Sequence, residues 1–156
     1  MKEIRPGKTE ILFMNYSRIK GGSMAKKILL VDDDKDLVAT LSQALKMNNF
    51  EVVEAYSAAE GLKKLLSEKP DLLILDVMME NDTAGFEAVY QIRNKRENSK
   101  FKEVKDVPII MLTAINQVTN SRFSLNSEQS FLPGVNDFLT KPIDIDELIE
   151  KINRCI

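Results

Sequence analysis

The sequence predicts an α/β fold, a parallel sheet with helices on both faces, and three observations lead to this prediction. Unbroken apolar runs recur along the chain, and the clearest is Leu72–Asp76, in which four apolar residues precede a carboxylate. Segments with apolar residues at helical spacing separate these runs. Charged or hydroxyl side chains end several runs, where open parallel sheets carry their chemistry.

The first part of the chain predicts two strand–helix units. Lys27–Val31 is the first predicted strand, and Lys35–Met47 is the first helix. A short second strand is centred on residues 52–53. Ser57 and Glu60 then have the spacing of a capping box, which predicts the start of a second helix.

The middle of the chain predicts the third strand, described above, and a third helix. That helix covers residues 86–96, with Phe86, Val89 and Tyr90 among its buried residues. Residues 95–106 are highly charged and are predicted to form a solvated loop.

The last part predicts two more strands, over residues 109–112 and 136–140. Between them, the stretch 115–134 is polar with scattered apolar residues, and we place a fourth helix there. A final helix begins near Asp144, which has capping-box spacing with Glu147.

The strand ends select the strand order. The second strand carries no chemical group at its end, as expected for an edge strand, whereas the first and third end in acids. The order 2-1-3-4-5 places the second strand at the edge and brings Asp32 and Asp33 next to Asp76. The predicted fold is therefore a flavodoxin-like, doubly wound (βα)5 sheet.

The chemistry of this edge favours a metal. Three carboxylates repel one another, and Lys141 alone cannot balance them. Oxygen ligands completed by water and phosphate favour Mg²⁺. Mg²⁺, the Lys141 ammonium and the Thr113 hydroxyl can supply the charge neutralisation that phosphoryl transfer needs. Asp76 is then the predicted nucleophile, which would form an aspartyl phosphate.

Composition narrows the function. The 156 residues are 44% hydrophobic and 29% charged, which fits one domain with a full core. The formal net charge of −2 gives no indication of a nucleic-acid or membrane surface. The absence of histidine excludes a histidine-based triad and a phosphohistidine transfer module. A single cysteine, Cys155, excludes an internal disulfide, and we expect a reduced, cytoplasmic setting.

Residues 1–23 differ in pattern from the rest. We interpret them as a flexible N-terminal extension, with Met24 as an alternative native start, and residues 24–156 as the domain. The alternative is a docking peptide built on the apolar residues 11–14.

Four motifs occur in order at the predicted strand ends: ILLVDDD, LLILDVMM, IIMLTA and DFLTKP. Through them, residues 24–156 resemble a receiver domain of bacterial two-component response regulators, of the single-domain chemotaxis type. The resemblance implies that a sensor histidine kinase or a phosphotransfer protein donates the phosphoryl group. It also implies that the domain is not an enzyme beyond catalysing its own phosphorylation and dephosphorylation.

The resemblance further implies a set of metal ligands. Asp76 resembles the phosphoacceptor. Asp33 and Asp76 resemble direct Mg²⁺ ligands, Asp32 acts largely through metal-bound water, and Met78 offers its backbone carbonyl.

A switch is implied in the same way. Thr113 resembles the switch hydroxyl, Lys141 the phosphate-binding lysine and Phe138 the rotameric aromatic, and the Lys141–Pro142 bond is expected to be cis. Phosphate draws Thr113 inward, Phe138 fills the space, and the face of the fourth helix, fifth strand and fifth helix changes its protein partners. A homodimer formed on phosphorylation is left open.

Two departures from the family pattern keep an alternative open. Glu80 stands in a slightly lengthened turn where the family usually has proline, and its extra acid is expected to alter the charge of the site. The stretch between Thr113 and Lys141 is also long, on the side of the partner surface. The alternative is a pseudo-receiver scaffold that acts without phosphorylation, although the intact acids, Thr113 and Lys141 weigh against it.

A phosphatase of the haloacid-dehalogenase type is rejected, because it needs a second Asp where Met78 stands. The absence of a Ser/Thr/Gly-rich loop after the first strand counts against a flavin-binding module. No output domain follows the final helix in this sequence. We therefore expect output through a protein contact, or a role as a phosphate relay or sink, with no direct nucleic-acid or membrane partner.

Overall fold

The computed structural model describes residues 25–114 and 134–156. The strands in these ranges are β1 (Lys27–Val31), β2 (Glu51–Ala55), β3 (Leu72–Asp76), β4 (Ile109–Ala114) and β5 (Asp137–Lys141). The described helices are α1 (Lys35–Met47), α2 (Ala58–Glu68), α3 (Ala84–Ile92) and the C-terminal helix (Ile145–Cys155). All strand pairs are parallel, in the order β2-β1-β3-β4-β5, which confirms the predicted flavodoxin-like sheet.

Burial along each strand follows its position in the sheet. All five residues of the central strand β3 are buried, which explains its unbroken apolar run. In β2 only Ala55 is buried, because an edge strand has a neighbour on one side only.

Two apolar clusters form the core, one on each face of the sheet. The first packs α2 and α3 against the sheet through residues such as Leu65 and Ala88. The second packs α1 and the C-terminal helix against the opposite face through residues such as Leu41 and Ile152. Successive strand residues alternate between these clusters, so the strand ends present side chains to both faces.

Side chains cap the N-terminal ends of α1 and α2. The Asp34 carboxylate accepts two amide hydrogen bonds in the first turn of α1. At α2 the Ser57 hydroxyl accepts from the Glu60 amide, as predicted. The Glu60 carboxylate accepts from the Tyr56 amide, one residue before the amide expected for a capping box.

The third helix differs from its predicted bounds of residues 86–96. It spans Ala84–Ile92, and Tyr90 is 81% exposed rather than buried. The buried stripe of the helix runs through Ala88, Val89 and Ile92, which places Tyr90 on the opposite side.

The charged stretch 95–106 is not fully solvated as predicted. Phe101 and Val104 are 3% and 8% exposed, and both belong to the core cluster under α2 and α3. The lysines and glutamates around them remain outside, so the prediction failed because turns, not periodic elements, direct these two side chains inward.

One predicted strand is shifted by one residue, and two predicted segments lie outside the described residues. The fifth strand begins at Asp137 and includes Lys141, one residue later than predicted at each end. The predicted fourth helix and the N-terminal extension of residues 1–23 lie outside the described part of the chain.

Candidate functional site

The carboxyl ends of β1 and β3 bring three carboxylates together. Val31 pairs with Leu75, so Asp32 and Asp76 follow at the same level on neighbouring strands. One oxygen of each of Asp32, Asp33 and Asp76 lies within 4.8 Å of the others. This acidic cluster could hold a hard divalent cation such as Mg²⁺, which prefers carboxylate and water oxygens.

Lys141 reaches the acidic cluster from the end of β5. Its Nζ lies 2.9 Å from Asp32 Oδ2 and 3.3 Å from Asp76 Oδ1. The alternation of each strand assigns Asp32, Asp76 and Lys141 to the same face of the sheet. The shared face explains how one lysine contacts both acids across β4.

Asp32 and Asp33 are adjacent in sequence but differ in environment. Asp32 is fully buried, and its Oδ1 accepts a hydrogen bond from the Asp34 amide at 2.9 Å. Asp33 is exposed. The cluster therefore combines a fixed inner acid with an outer acid that is accessible to water and ions.

The pKa of the Asp76 carboxyl group is strongly raised. Burial raises the pKa of Asp76 to about 6, and the negative charge of Asp32 adds to the increase. Lys141 and the amide of Met78, which donates to the Asp76 carboxylate, act to lower this pKa. A bound divalent cation would lower it further, because nearby positive charge favours the carboxylate.

Lys141 is held as a cation. Burial acts to lower the pKa of Lys141, but the hydrogen bond and charge of Asp32, followed by those of Asp76, outweigh burial and raise it. An ammonium group is therefore fixed beside the carboxylate of Asp76.

Thr113 and Phe138 share the other face of the sheet. Thr113 is 3% exposed, and its hydroxyl donates to the carbonyl of the next residue at 3.1 Å. Phe138 pairs with Met111 in the β4–β5 register, two residues before the level of Thr113. Phe138 is half-buried against the cluster that packs under α2 and α3.

The structure thus brings together four of the predicted site residues: Asp32, Asp33, Asp76 and Lys141. Met78, 40% exposed, follows directly in the loop after β3. Thr113 lies at the same sheet edge but on the opposite face, and Phe138 lies further from that edge. The Lys141–Pro142 peptide bond is cis.

Glu80, in the loop after β3, and Gly85, in the first turn of α3, have roles that the sequence did not predict. A Cβ on Gly85 would meet the backbone, at 2.8 Å from the Val77 Cα, so only glycine allows α3 to approach β3 this closely. The Glu80 carboxylate accepts a hydrogen bond from the Ala58 amide, and its expected effect on the charge of the site stays a prediction. The glycine close to a predicted helix start was the available signal for Gly85, whereas no sequence signal paired Glu80 with α2.

The fold and the acidic edge match a known family. The sequence profile of the response regulator receiver domain covers residues 28–153. The chain belongs to the response regulator receiver domain family.

Curated relatives of this receiver domain are bacterial regulatory proteins. The chain is 33% identical over 133 residues to the response regulator MprA of Mycobacterium ulcerans, which covers 85% of this chain and 51% of that protein. It is 29% identical to the DNA-binding dual master transcriptional regulator RpaA of Synechocystis, over 83% of this chain and 48% of that protein. The chain therefore spans about half the length of the curated relatives it matches.

Solved structures agree with the assignment. The chemotaxis response regulator CheY4 of Vibrio cholerae is 30% identical, with a TM-score of 0.65 over 86% of this chain and 100% of that chain. A CheY-like receiver domain from Methanospirillum hungatei is 31% identical, with a TM-score of 0.64 over 83% and 92%.

Family membership establishes the broad role. Receiver domains are signalling domains of two-component systems rather than classical enzymes, they interact with histidine kinases, and they bind Mg²⁺ through acidic residues. Among the described residues, no helix has the length and apolar character needed to cross a membrane.

Proposed function

We propose that this receiver domain accepts a phosphoryl group on Asp76 in a Mg²⁺-dependent reaction, from a sensor histidine kinase or a phosphotransfer protein. The observation that carries the proposal is the position of the Asp76 carboxylate. It lies 3.3 Å from the Lys141 ammonium and within 4.8 Å of two further acids. An acid so placed is surrounded by the charges that phosphoryl transfer requires.

Each charged residue has a distinct part. Asp33 and Asp76 would bind Mg²⁺ directly, Asp32 through water, and the Met78 carbonyl would complete the protein ligands. When bound, Mg²⁺ neutralises the oxygens of the transferring phosphoryl group. Lys141, already between Asp32 and Asp76, would pair with a phosphoryl oxygen once Asp76 is modified.

The reactive form of Asp76 is its carboxylate. With a pKa of about 6, the side chain is mostly ionised near neutral pH, even before a cation adds its effect. A carboxylate oxygen then forms the new bond to phosphorus, while the bond from phosphorus to the donor breaks and the donor leaves with that electron pair.

The change in protein contacts after phosphorylation would start on the face of the sheet that carries Thr113 and Phe138, opposite the face of Asp76. Thr113 would move toward the phosphoryl group, and Phe138, on the same face, would occupy the vacated space. The proposed consequence is a new protein contact on the face that includes β5 and the C-terminal helix, with phosphorylation-dependent homodimers as one form of that contact.

We also propose that the receiver domain comprises residues 24–156 and lies in the cytoplasm. DNA binding, named for the relative RpaA, would belong to a longer protein.

The test is intact mass after incubation with acetyl phosphate, with and without Mg²⁺, for wild type and Asp76→Asn. We expect one phosphate adduct in wild type that requires Mg²⁺ and is missing in the variant. Asp82→Asn, which removes an exposed acid from the same loop, should keep the adduct.

An adduct that persists in Asp76→Asn would assign the acceptor to another residue. If wild type binds Mg²⁺ but accepts no phosphate from acetyl phosphate or from a panel of histidine kinases, the scaffold alternative replaces the proposal.

A further inference from the structure

Glu80 makes a contact that joins two loops of the site. Its Oε1 accepts a hydrogen bond from the Ala58 amide at 2.7 Å, across 22 positions of sequence. Ala58 is the first residue of α2, and its amide has no acceptor within the helix. A carboxylate is a strong acceptor for such an amide, because the hydrogen bond is charge-assisted and the helix dipole favours a negative group there.

The α2 side of this contact is firmly fixed. The Tyr56 amide donates to the Glu60 carboxylate at 3.0 Å, and the Glu60 amide donates to the Ser57 hydroxyl at 3.1 Å. The preceding residue, Ala55, accepts a backbone hydrogen bond from the amide of Asp32 at 3.2 Å. The turn before α2 is thus tied directly to one member of the acidic cluster.

The other side of the contact is the loop that follows Asp76. Within this loop, the Met78 amide donates to the Asp76 carboxylate. At its far end, the Gly85 amide donates to the Val77 carbonyl at 2.9 Å. Glu80 lies between these two attachments, and its bond to Ala58 fixes the outer part of the loop.

We propose that Glu80 is a positioning residue for the metal site, which acts by holding the loop after β3 against the start of α2. The Met78 backbone is thereby kept beside the acidic cluster. The inference rests on the proposed function, because it assigns Glu80 to the same Mg²⁺ site. Its carboxylate contributes through a hydrogen bond to a neighbouring helix rather than as a fourth metal ligand.

Ala58→Pro tests the contact from the donor side. Proline at the first position of a helix is well tolerated, since the amide it lacks has no intrahelical acceptor. Ser57, which precedes it, is already extended, as a residue before proline must be. This variant removes the hydrogen bond without changing any carboxylate.

Glu80→Ala tests the contact from the acceptor side, and Glu80→Gln retains an acceptor oxygen without the charge. Asp82→Ala is the matched control, because it removes an exposed acid from the same loop and alters no described hydrogen bond. The double variant Glu80→Ala with Ala58→Pro shows whether the two changes act on one contact.

Two measurements apply to the full chain. In metal-free protein, hydrogen exchange of amides 77–84 should be faster in Glu80→Ala and Ala58→Pro, and close to wild type in Glu80→Gln and Asp82→Ala. In a Mg²⁺ titration, the first two variants should bind about tenfold more weakly, the lower end for groups that support metal ligands. The double variant should bind no more weakly than either single variant.

The inference is overturned if Glu80→Ala and Ala58→Pro match wild type in both measurements, or if Asp82→Ala weakens Mg²⁺ equally. An equal loss of Mg²⁺ affinity in Asp82→Ala would mean that the loss of a negative charge, rather than the loss of the hydrogen bond to Ala58, weakens Mg²⁺ binding. Failure of wild type itself to bind Mg²⁺ would instead count against the proposed function, so the two failures are distinguishable. If Glu80→Ala does not fold, Ala58→Pro still decides the question.

Discussion

At the scale of a residue, Asp76 combines reactivity with a cost in stability. It is 4% exposed, beside a fully buried Asp32, and Lys141 offsets only part of the unfavourable environment. Its pKa is about 6 in the folded protein, whereas an unfolded chain has an aspartate pKa of about 4. The folded state therefore binds this proton more tightly than the unfolded state.

Asp76→Asn is expected to stabilise the metal-free protein at about pH 8. Because the folded-state pKa of Asp76 is raised, the contribution of this side chain to stability is fully present below about pH 4 and is lost as pH rises through about 6. A difference of about two pKa units corresponds to roughly 2–3 kcal/mol, and asparagine avoids this loss. Urea denaturation at a series of pH values measures the gain, which should disappear near pH 4.

Asp82→Asn, which removes an exposed acid from the same loop, is the control for this comparison and should not reproduce the gain. If Asp76→Asn were no more stable than wild type at about pH 8, the buried, uncompensated charge assigned to Asp76 would be wrong.

At the scale of an element, α3 is placed by its close approach to β3. Gly85 donates its amide to the Val77 carbonyl at 2.9 Å, and a Cβ there would meet the backbone of residues 76 and 77. The backbone of β3 cannot move aside without shifting Asp76. The position of α3 against β3 and the geometry of the acidic cluster are therefore coupled.

Gly85→Ala should lower the free energy of unfolding by about 2 kcal/mol, in the range for overpacking against a rigid neighbour, and should weaken Mg²⁺ binding. Gly61→Ala is the matched comparison, because its Cβ would meet only side-chain atoms of Val31, whereas the Cβ at Gly85 would meet backbone, and alanine favours the helix at both positions. Urea denaturation of both variants should show the larger loss in Gly85→Ala. If Gly61→Ala lost as much free energy of unfolding as Gly85→Ala, or more, the close backbone contact of Gly85 would not be what makes alanine unfavourable there.

At the scale of the whole molecule, the site depends on residues that are far apart in sequence. Asp32, Asp76 and Lys141 lie at the carboxyl ends of three different strands, and the pair Lys141–Asp32 spans 109 positions. Such a set exists only in the folded chain. A cation that binds it should therefore favour folding.

Mg²⁺ is expected to raise the melting temperature of wild type as its concentration increases. At tenfold above the dissociation constant, binding to the folded state alone adds about 1.4 kcal/mol. For a chain of this size, that corresponds to a shift of roughly 3–6 °C. Scanning fluorimetry over a Mg²⁺ series, with Asp33→Ala as the variant and Asp82→Ala as its control, provides the measurement. A melting temperature independent of Mg²⁺ in wild type would argue against the metal site.

Local patterns in the sequence were enough to predict the sheet and the order of its strands. The apolar run of β3 and its terminal Asp76 are local patterns, because burial on both faces requires apolar residues at every position. The absence of a chemical group at the end of β2 indicated the edge strand, and the strand order then brought Asp32, Asp33 and Lys141 to one place. These predictions succeeded because strand period and topology rules depend little on side-chain packing.

Contacts between elements, in contrast, could not be predicted from local patterns. The pairing of Glu80 with Ala58, the burial of Phe101 in a charged stretch and the exposure of Tyr90 depend on which elements lie next to one another. The raised pKa of Asp76 likewise follows from burial and from Asp32 on the neighbouring strand. A local pattern carries no information on such contacts, because their energies depend on distance and desolvation in the assembled fold.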